Sequence, residues 1–281
     1  MSQAVSPGSV GEALGAATDA LRAAAVDTPR LDAEVLLEEA SGLSRARLAS
    51  APDEPLDAAT GRRFAELVRR RLRREPVAYI LGRRAFRHLD LAVDRRVLIP
   101  RPESELLVEL ALELEPATVL DVGTGSGAIA LAVAHELPEA TVLATDIYPE
   151  TLDVARANAE RLGLADRVRF EVGSLPREGS FDLLLANLPY VTASQWLALE
   201  PELREFEPRG ALTPGPTGFE AIEALLGELS VSPLQAVAIG LEVGEGQWRT
   251  VAELVRRAGF EPDEVRPDLA GIDRMVVGRR R

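Results

Sequence analysis

Residues 118–127 read TVLDVGTGSG, and this stretch decides the fold. Residues 118–122 predict a buried strand, and residues 128–136 predict a helix directly after the glycines. A glycine-rich turn between a strand and its helix allows the backbone to come close to a ligand. The stretch therefore predicts a strand–turn–helix unit with a ligand at the turn.

The segments around this unit continue the same alternation. Strands are predicted at 141–145, 168–172, 181–186, 236–243 and 275–277, and helices at 103–114, 149–162 and 248–258. Alternating strands and helices indicate a parallel sheet covered on both faces. Asp146 ends the second strand, 23 residues after Gly123, close to the spacing of about 20 at which an acid binds a ribose. Because Gly123, Gly125 and Ala128 also satisfy the dinucleotide fingerprint, a nicotinamide enzyme stays open at this point.

Residues 1–82 follow a different, all-helical pattern. Apolar residues recur at helical spacing over residues 10–24, and Thr28–Pro29 and Gly42 predict the start and end of a second helix. Asp57 predicts the N-cap of a longer helix, which Pro76 is expected to end. Such short helices need to pack together as a small bundle. Residues 83–100 predict a β-hairpin linker, and residues 101–281 the α/β domain.

The last helix of the bundle is rich in arginine. This cluster predicts either a solvated face or a docking surface for an acidic partner or RNA, and the sequence leaves both open. Its members are Arg62, Arg63, Arg69, Arg70, Arg71, Arg73 and Arg74.

Composition excludes several kinds of chemistry. The chain has no cysteine and no lysine, which excludes disulfides, thiolate chemistry and Schiff bases. His88 and His135 have no metal-ligand spacing, so we expect structural roles and no metal. The net charge of −13 argues against binding nucleic acid by charge alone. Neither a secretory signal nor a membrane span is evident, so we expect a cytoplasmic protein.

The fourth strand of the domain ends in Asn187-Leu188-Pro189-Tyr190. Ligands of open parallel sheets bind beyond the carboxyl ends of the strands, so Asn187 is expected near Gly123 and Asp146. The nitrogen of a planar amide or of an aromatic amine is a poor nucleophile because its lone pair is delocalised. Carbonyl oxygens of Asn187 and Leu188 can accept its N–H hydrogens and favour the positive charge that develops on it, and Tyr190 can pack on the planar group. The motif resembles that of the amino-methyltransferases.

Two amino-methyltransferase classes compete. The Asn-Leu-Pro-Tyr spelling is similar to that of ribosomal RNA adenine dimethyltransferases. The rest of the chain resembles the release-factor glutamine N5-methyltransferases, through runs at 75–82 (EPVAYILG), 97–105 (VLIPRPESE), 206–212 (FEPRGAL) and 268–274 (DLAGIDR). The order of these runs along the chain makes the second resemblance the more specific one, and an RNA (adenine-N6) methyltransferase remains the alternative.

The resemblance to the glutamine methyltransferases implies a small all-α domain that recognises the substrate, followed in the sequence by a class I S-adenosylmethionine-dependent methyltransferase (Rossmann-like) domain. It implies methyl transfer to the glutamine of the Gly-Gly-Gln loop of peptide chain release factors. From the net charge and the lack of a long apolar run, we expect neither direct nucleic-acid binding nor membrane binding. The implied catalytic residues are Asn187, Leu188, Pro189 and Tyr190. The implied S-adenosylmethionine-binding residues are Gly123, Thr124, Gly125, Ser126, Gly127, Asp146 and Asn187.

Two positions depart from the family pattern. Leu188 stands where the family usually has proline, so the loop gains a backbone N–H and a wider dihedral range. Ser174 stands where the family commonly has an acidic residue that binds the adenine amino group, and a hydroxyl accepts such a hydrogen bond more weakly.

Overall fold

The computed structural model describes residues 8–280, and the chain divides into two compact units, residues 1–82 and 83–281. The first unit is helical, as predicted, and packs its helices around an apolar core. Its helices are α1 (Val10–Ala23), α2 (Pro29–Ser41), α3 (Arg45–Ser50), α4 (Ala58–Leu72) and α5 (Val77–Leu81).

Helix ends in this unit follow the capping residues. Asp57 accepts hydrogen bonds from the backbone N–H groups of Ala59 and Thr60 and so caps α4. Gly42 ends α2 in the left-handed conformation, at φ 72°, where glycine has no steric penalty. The prediction for Pro76 was wrong: α4 already ends at Leu72, and Pro76 is the N-cap of α5, a position where the missing N–H costs nothing.

Most of the arginine cluster pairs with groups of the helical unit itself. The guanidinium of Arg71 is buried and donates to Asp32 at 2.6 Å. Arg62 and Arg73 are exposed and form no ion pair with any residue between 8 and 280. Five arginines bind groups of their own unit: Arg63, Arg69, Arg70, Arg71 and Arg74. The free positive charge of α4 is therefore much smaller than its sequence suggests.

The second unit begins with an antiparallel hairpin and continues as an α/β domain. Its strands are β1 (Arg83–Phe86), β2 (Leu89–Ala92), β3 (Thr118–Val122), β4 (Thr141–Asp146), β5 (Val168–Val172), β6 (Ser180–Ala186), β7 (Gln235–Glu242), β8 (Phe260–Pro267) and β9 (Asp273–Arg280). Its helices are α6 (Glu105–Leu114), α7 (Ala128–Glu136), α8 (Pro149–Arg161), α9 (Ala193–Trp196), α10 (Pro201–Phe206), α11 (Glu220–Val231) and α12 (Trp248–Arg257). Short 3₁₀ turns occupy Pro102–Ser104 and Arg209–Ala211.

The seven-stranded sheet has the order β5-β4-β3-β6-β7-β9-β8. Strands β3 to β7 are parallel, whereas β9 pairs antiparallel with both β7 and β8, so the sheet is mixed rather than wholly parallel. The chain runs outward from β3 to β5 and then returns to β6 on the other side of β3. Such a reversal opens a crevice at the carboxyl ends of the strands, where open α/β sheets bind ligands.

Side chains of the domain fix the hairpin beside this crevice. Asn158 of α8 is fully buried and exchanges two hydrogen bonds with the backbone of Ala92 in β2. Its amide also donates to the carbonyl of Ser126 in the glycine turn, at 2.9 Å. One side chain therefore joins the hairpin, α8 and the turn. Among residues 8–280, none of the helices is both long and apolar enough to cross a membrane.

Candidate active site

A cleft of about 760 Å³ opens at the carboxyl ends of β3, β4 and β6. It brings together six of the residues predicted for the site, from three separate parts of the sequence. These are Gly123, Gly125, Asp146, Asn187, Leu188 and Pro189.

Two glycines form the part of the turn that faces the cleft. Gly123 and Gly125 have φ values of 74° and 59°, which residues with a Cβ rarely adopt. A Cβ at Gly125 would meet no described atom within 4 Å, so this side of the turn is open to a ligand. The backbone can therefore approach a nucleoside-containing cofactor, and the cleft fits one.

Three other predicted members of the turn build it instead of lining the cleft. Thr124 donates its hydroxyl hydrogen to Asp121 at 2.7 Å, and Ser126 uses its carbonyl to bind Asn158. A Cβ at Gly127 would lie 2.9 Å from a methyl group of Leu131. The sequence predicts that all five residues of the turn belong to the site. The structure shows that Gly123 and Gly125 face the cleft, whereas the other three support the turn.

Asp121 is a structural part of the turn that sequence reasoning did not single out. Its carboxylate is fully buried and accepts hydrogen bonds from Thr124 and from the backbone N–H of Ala130. Its other oxygen, Oδ1, has no hydrogen-bond partner among the described residues. Burial raises the pKa of Asp121 to about 7, against the effect of these two hydrogen bonds.

We expect Asp121 to make the stability of the domain fall as pH rises. Its ordinary pKa is 3.8, so between about pH 4 and 7 the unfolded chain is ionised while the folded chain keeps the proton. From pH 5 to pH 8 this difference should lower the free energy of unfolding by about 2–3 kcal/mol. Urea unfolding followed by fluorescence measures it in the second unit, which contains both tryptophans, Trp196 and Trp248. The variant Asp121→Asn should lose this contribution and keep the part of the pH dependence that comes from Glu242, another buried acid of the same unit. Identical dependences in the two proteins would contradict the assignment.

Asp146 links the two sides of the cleft at the end of β4. Its carboxylate accepts hydrogen bonds from the backbone N–H groups of Gly125, at 3.1 Å, and Tyr148, at 3.0 Å. Burial raises the pKa of Asp146, and these hydrogen bonds oppose the shift. The next residue, Ile147, is 59% exposed and lines the cleft. An exposed apolar side chain directly after the acid offers a surface for a planar base, and this signal is already present in the sequence.

Leu188, one of the departures from the family pattern, packs over the glycine turn. A Cβ at Gly123 would lie 2.9 Å from a methyl group of Leu188, whose side chain is partly buried against the core. Packing therefore restrains a loop that lacks the usual proline. The other departure, Ser174, also lines the cleft, and its carbonyl accepts a hydrogen bond from the hydroxyl of Thr145.

Tyr190 lies outside the described lining of the cleft and anchors the loop from behind. Its hydroxyl donates to Glu242 at 3.3 Å, and its carbonyl accepts a hydrogen bond from the side chain of Gln247 at 3.0 Å. Gln247 also accepts from the N–H of Gly244. A Cβ at Gly218, which has φ 81°, would collide with the Tyr190 carbonyl. Sequence reasoning missed Glu242 and Gln247, although a carboxylate at the end of the buried strand β7 is itself a signal.

An ion pair between a partly exposed arginine and a buried glutamate joins two of the sequence runs in one wall of the cleft. Arg101 donates to Glu207 at 2.5 Å, and the second oxygen of Glu207 accepts from the N–H of Ile99 at 3.1 Å. Residues on both sides of this ion pair line the cleft: Val97, Leu98, Pro208, Gly210 and Ala211. Within residues 8–280, no cluster of three or more histidine or acidic side chains could hold a metal ion.

Comparison with known proteins places both units in one family. Residues 12–82 match the model of the PrmC N-terminal domain, and residues 119–206 match that of a methyltransferase domain. The release factor glutamine methyltransferase of Moorella thermoacetica is 42% identical over 278 residues, which cover 96% of this chain and 98% of the relative. That of Nitratidesulfovibrio vulgaris is 42% identical over 92% of this chain and 91% of the relative.

Solved structures share the fold at low sequence identity. A methyltransferase from Pyrococcus furiosus superimposes with a TM-score of 0.52 and 20% identity, over 69% of this chain and 90% of that one. The catalytic domain of hMettl16, in complex with MAT2A 3′UTR hairpin 6, superimposes with a TM-score of 0.53 and 15% sequence identity. The match covers 67% of this chain and 74% of that one. The methyltransferase domain and the family relatives establish S-adenosylmethionine as the cofactor. The chain is thus a member of the release factor glutamine methyltransferase family.

Proposed function

We propose that this chain methylates the side-chain amide nitrogen, N5, of the glutamine in the Gly-Gly-Gln loop of peptide chain release factors. The observation that carries the proposal is the position of Asn187, which lines the same cleft as Gly123, Gly125 and Asp146. An amide acceptor and a cofactor cradle therefore lie side by side. The relatives that match nearly the whole chain are named for this reaction.

Gly123, Gly125 and Asp146 are the residues proposed to hold S-adenosylmethionine, which supplies an electrophilic methyl group when it is bound. The open backbone at Gly125 can approach the cofactor closely, and the Asp146 carboxylate can accept hydrogen bonds from ribose hydroxyl groups. Thr124, Ser126 and Gly127 are proposed to act indirectly, by holding the turn in shape.

Asn187 and Leu188 are proposed to bind the reacting amide. The Asn187 side-chain oxygen and the Leu188 carbonyl can each accept one N–H hydrogen of the substrate, which orients its nitrogen and favours the charge that develops on it. Pro189 restricts the backbone between this pair and Tyr190. The role proposed for Tyr190 is to anchor the loop through Glu242 and Gln247, because its side chain is not part of the described cleft wall.

The helical unit is proposed to recognise the release factor, and the enzyme to act in the cytoplasm, where translation takes place. Direct binding of nucleic acid is not part of the proposal. Five of the seven arginines of the α4 cluster bind groups of their own unit, and the chain carries a net charge of −13. Both observations speak against an RNA-binding face on this helix.

A methyl-transfer assay with labelled S-adenosylmethionine tests the proposal. Unmodified release factor, release factor with its Gly-Gly-Gln glutamine replaced by alanine, and ribosomal RNA are offered in parallel. We expect label only on the unmodified release factor, and peptide mass mapping should place one methyl group on the glutamine. Label on RNA alone would instead support the RNA (adenine-N6) methyltransferase alternative.

A further inference from the structure

A chain of buried hydrogen bonds runs behind Asn187. The side-chain amide of Asn187 donates to the hydroxyl oxygen of Ser104 at 2.8 Å, and the Ser104 hydroxyl donates to Glu242 at 2.7 Å. The other carboxylate oxygen of Glu242 accepts from Tyr190. Ser104 and Glu242 are only 4% and 2% exposed. Three segments far apart in sequence therefore meet directly behind the proposed acceptor site.

The order of donors in this chain determines which way the Asn187 amide faces. An ionised Glu242 can only accept hydrogen bonds, so the single hydroxyl hydrogen of Ser104 is committed to it. The lone pairs of Ser104 then require a donor, which is the NH₂ group of Asn187. The opposite side of the planar amide, its oxygen Oδ1, receives no hydrogen bond from a described residue.

We propose that Ser104 and Glu242 are positioning residues, which hold the Asn187 amide with its oxygen towards the substrate nitrogen. The inference rests on the proposed role of Asn187 in binding the glutamine amide. A flipped Asn187 would present N–H groups to the N–H groups of the substrate, which would repel it. An amide free to rotate would spend part of its time in this unproductive orientation, so the hydrogen-bond chain should raise kcat.

Protonation of Glu242 should weaken this control. Burial raises the pKa of Glu242 to about 7, and the negative charge of Glu103 adds to this shift. The hydrogen bonds from Ser104 and Tyr190 and the positive charge of Arg274 oppose the shift. A protonated Glu242 can donate to Ser104, whose hydroxyl then becomes free to donate to Asn187 and favours the flipped amide. We therefore expect kcat to fall as pH drops below about 7.

Substitution of Ser104 gives the direct test. Ser104→Ala should lower kcat for release-factor methylation about tenfold or more, and it should leave the Kd for S-adenosylmethionine within about twofold because Ser104 is not among the cleft-lining residues. Thr18→Ala is the matched control: this hydroxyl is also buried but donates only to the carbonyl of Leu14, and kcat should not change. Glu242→Gln keeps the size of the side chain and should both lower kcat and remove its dependence on pH near 7.

Measuring Asn187→Ala in the same series distinguishes failure of the proposed role of Asn187 from failure of the positioning by Ser104 and Glu242. Wild-type kcat in Asn187→Ala would refute both the proposed role of Asn187 and the positioning that depends on it. An inactive Asn187→Ala beside fully active Ser104→Ala and Glu242→Gln would overturn the positioning alone. A parallel loss of cofactor affinity in Ser104→Ala would likewise overturn it, since Ser104 would then shape the cofactor site.

Discussion

Replacement of Asn187 by alanine is expected to lower kcat by about 100-fold or more, the usual cost of removing one preorganised group that stabilises a developing charge. The substitution removes the proposed acceptor for a substrate N–H and leaves the glycine turn and Asp146 in place. The Kd for S-adenosylmethionine, measured by calorimetry, should therefore stay nearly unchanged.

Asn187→Asp serves as the control for this variant. It keeps an acceptor oxygen at the same place but loses the donor to Ser104, so its kcat should lie between those of the wild type and Asn187→Ala. Equal losses of kcat and of cofactor affinity in Asn187→Ala would show that Asn187 mainly builds the cofactor pocket.

Replacement of Asp146 by alanine is expected to weaken binding of S-adenosylmethionine by about 10- to 100-fold, the range for losing hydrogen bonds to a charged group. The substitution removes two kinds of interaction. These are the proposed contact of the carboxylate with the ribose, and the hydrogen bonds that it accepts from the backbone N–H groups of Gly125 and Tyr148. Calorimetry of the wild type and the variant measures the sum of these effects.

A cofactor analogue without the ribose 2′-hydroxyl separates the two effects. The wild type should bind 2′-deoxy-S-adenosylhomocysteine more weakly than S-adenosylhomocysteine, whereas Asp146→Ala should bind both about equally. If the variant discriminates between them as strongly as the wild type does, Asp146 does not contact the 2′-hydroxyl, and its effect on affinity comes from the turn or from the 3′-hydroxyl.

The sequence predicted the central strands because their signals are local. The apolar runs of β3 to β7 are bounded by glycine, proline or charged residues, and they appear within a residue or two of their predicted positions. Strand β8 was missed, because Pro262, Pro267 and several charges interrupt its pattern. Prolines are tolerated there because β8 is at the edge of the sheet and its pairing with β9 is irregular near both of them. Helix α11 was also missed, although Ile222, Leu225, Leu226 and Leu229 have helical spacing.

The site was predictable where topology alone determines proximity. Gly123, Asp146 and Asn187 end neighbouring parallel strands, so they had to meet at one edge of the sheet. The supporting residues were not predictable in this way. Ser104, Glu242 and Gln247 act through hydrogen bonds across segments that local patterns do not connect. The position of Tyr190, away from the cleft wall, depends on its contacts with Glu242 and Gln247.

The ion pair between Arg101 and Glu207 bears on how members of this family can be recombined. The two residues are 106 positions apart, and the Glu207 side chain is only 2% exposed. A chimaera that inherits Glu207 without Arg101 leaves a carboxylate in the protein interior with no counter-ion, at a cost of up to about 3–5 kcal/mol. Exchange points placed between residues 101 and 207 therefore require both parents to carry the same pair, whereas grafts that move 97–105 and 206–212 together keep this wall of the cleft intact.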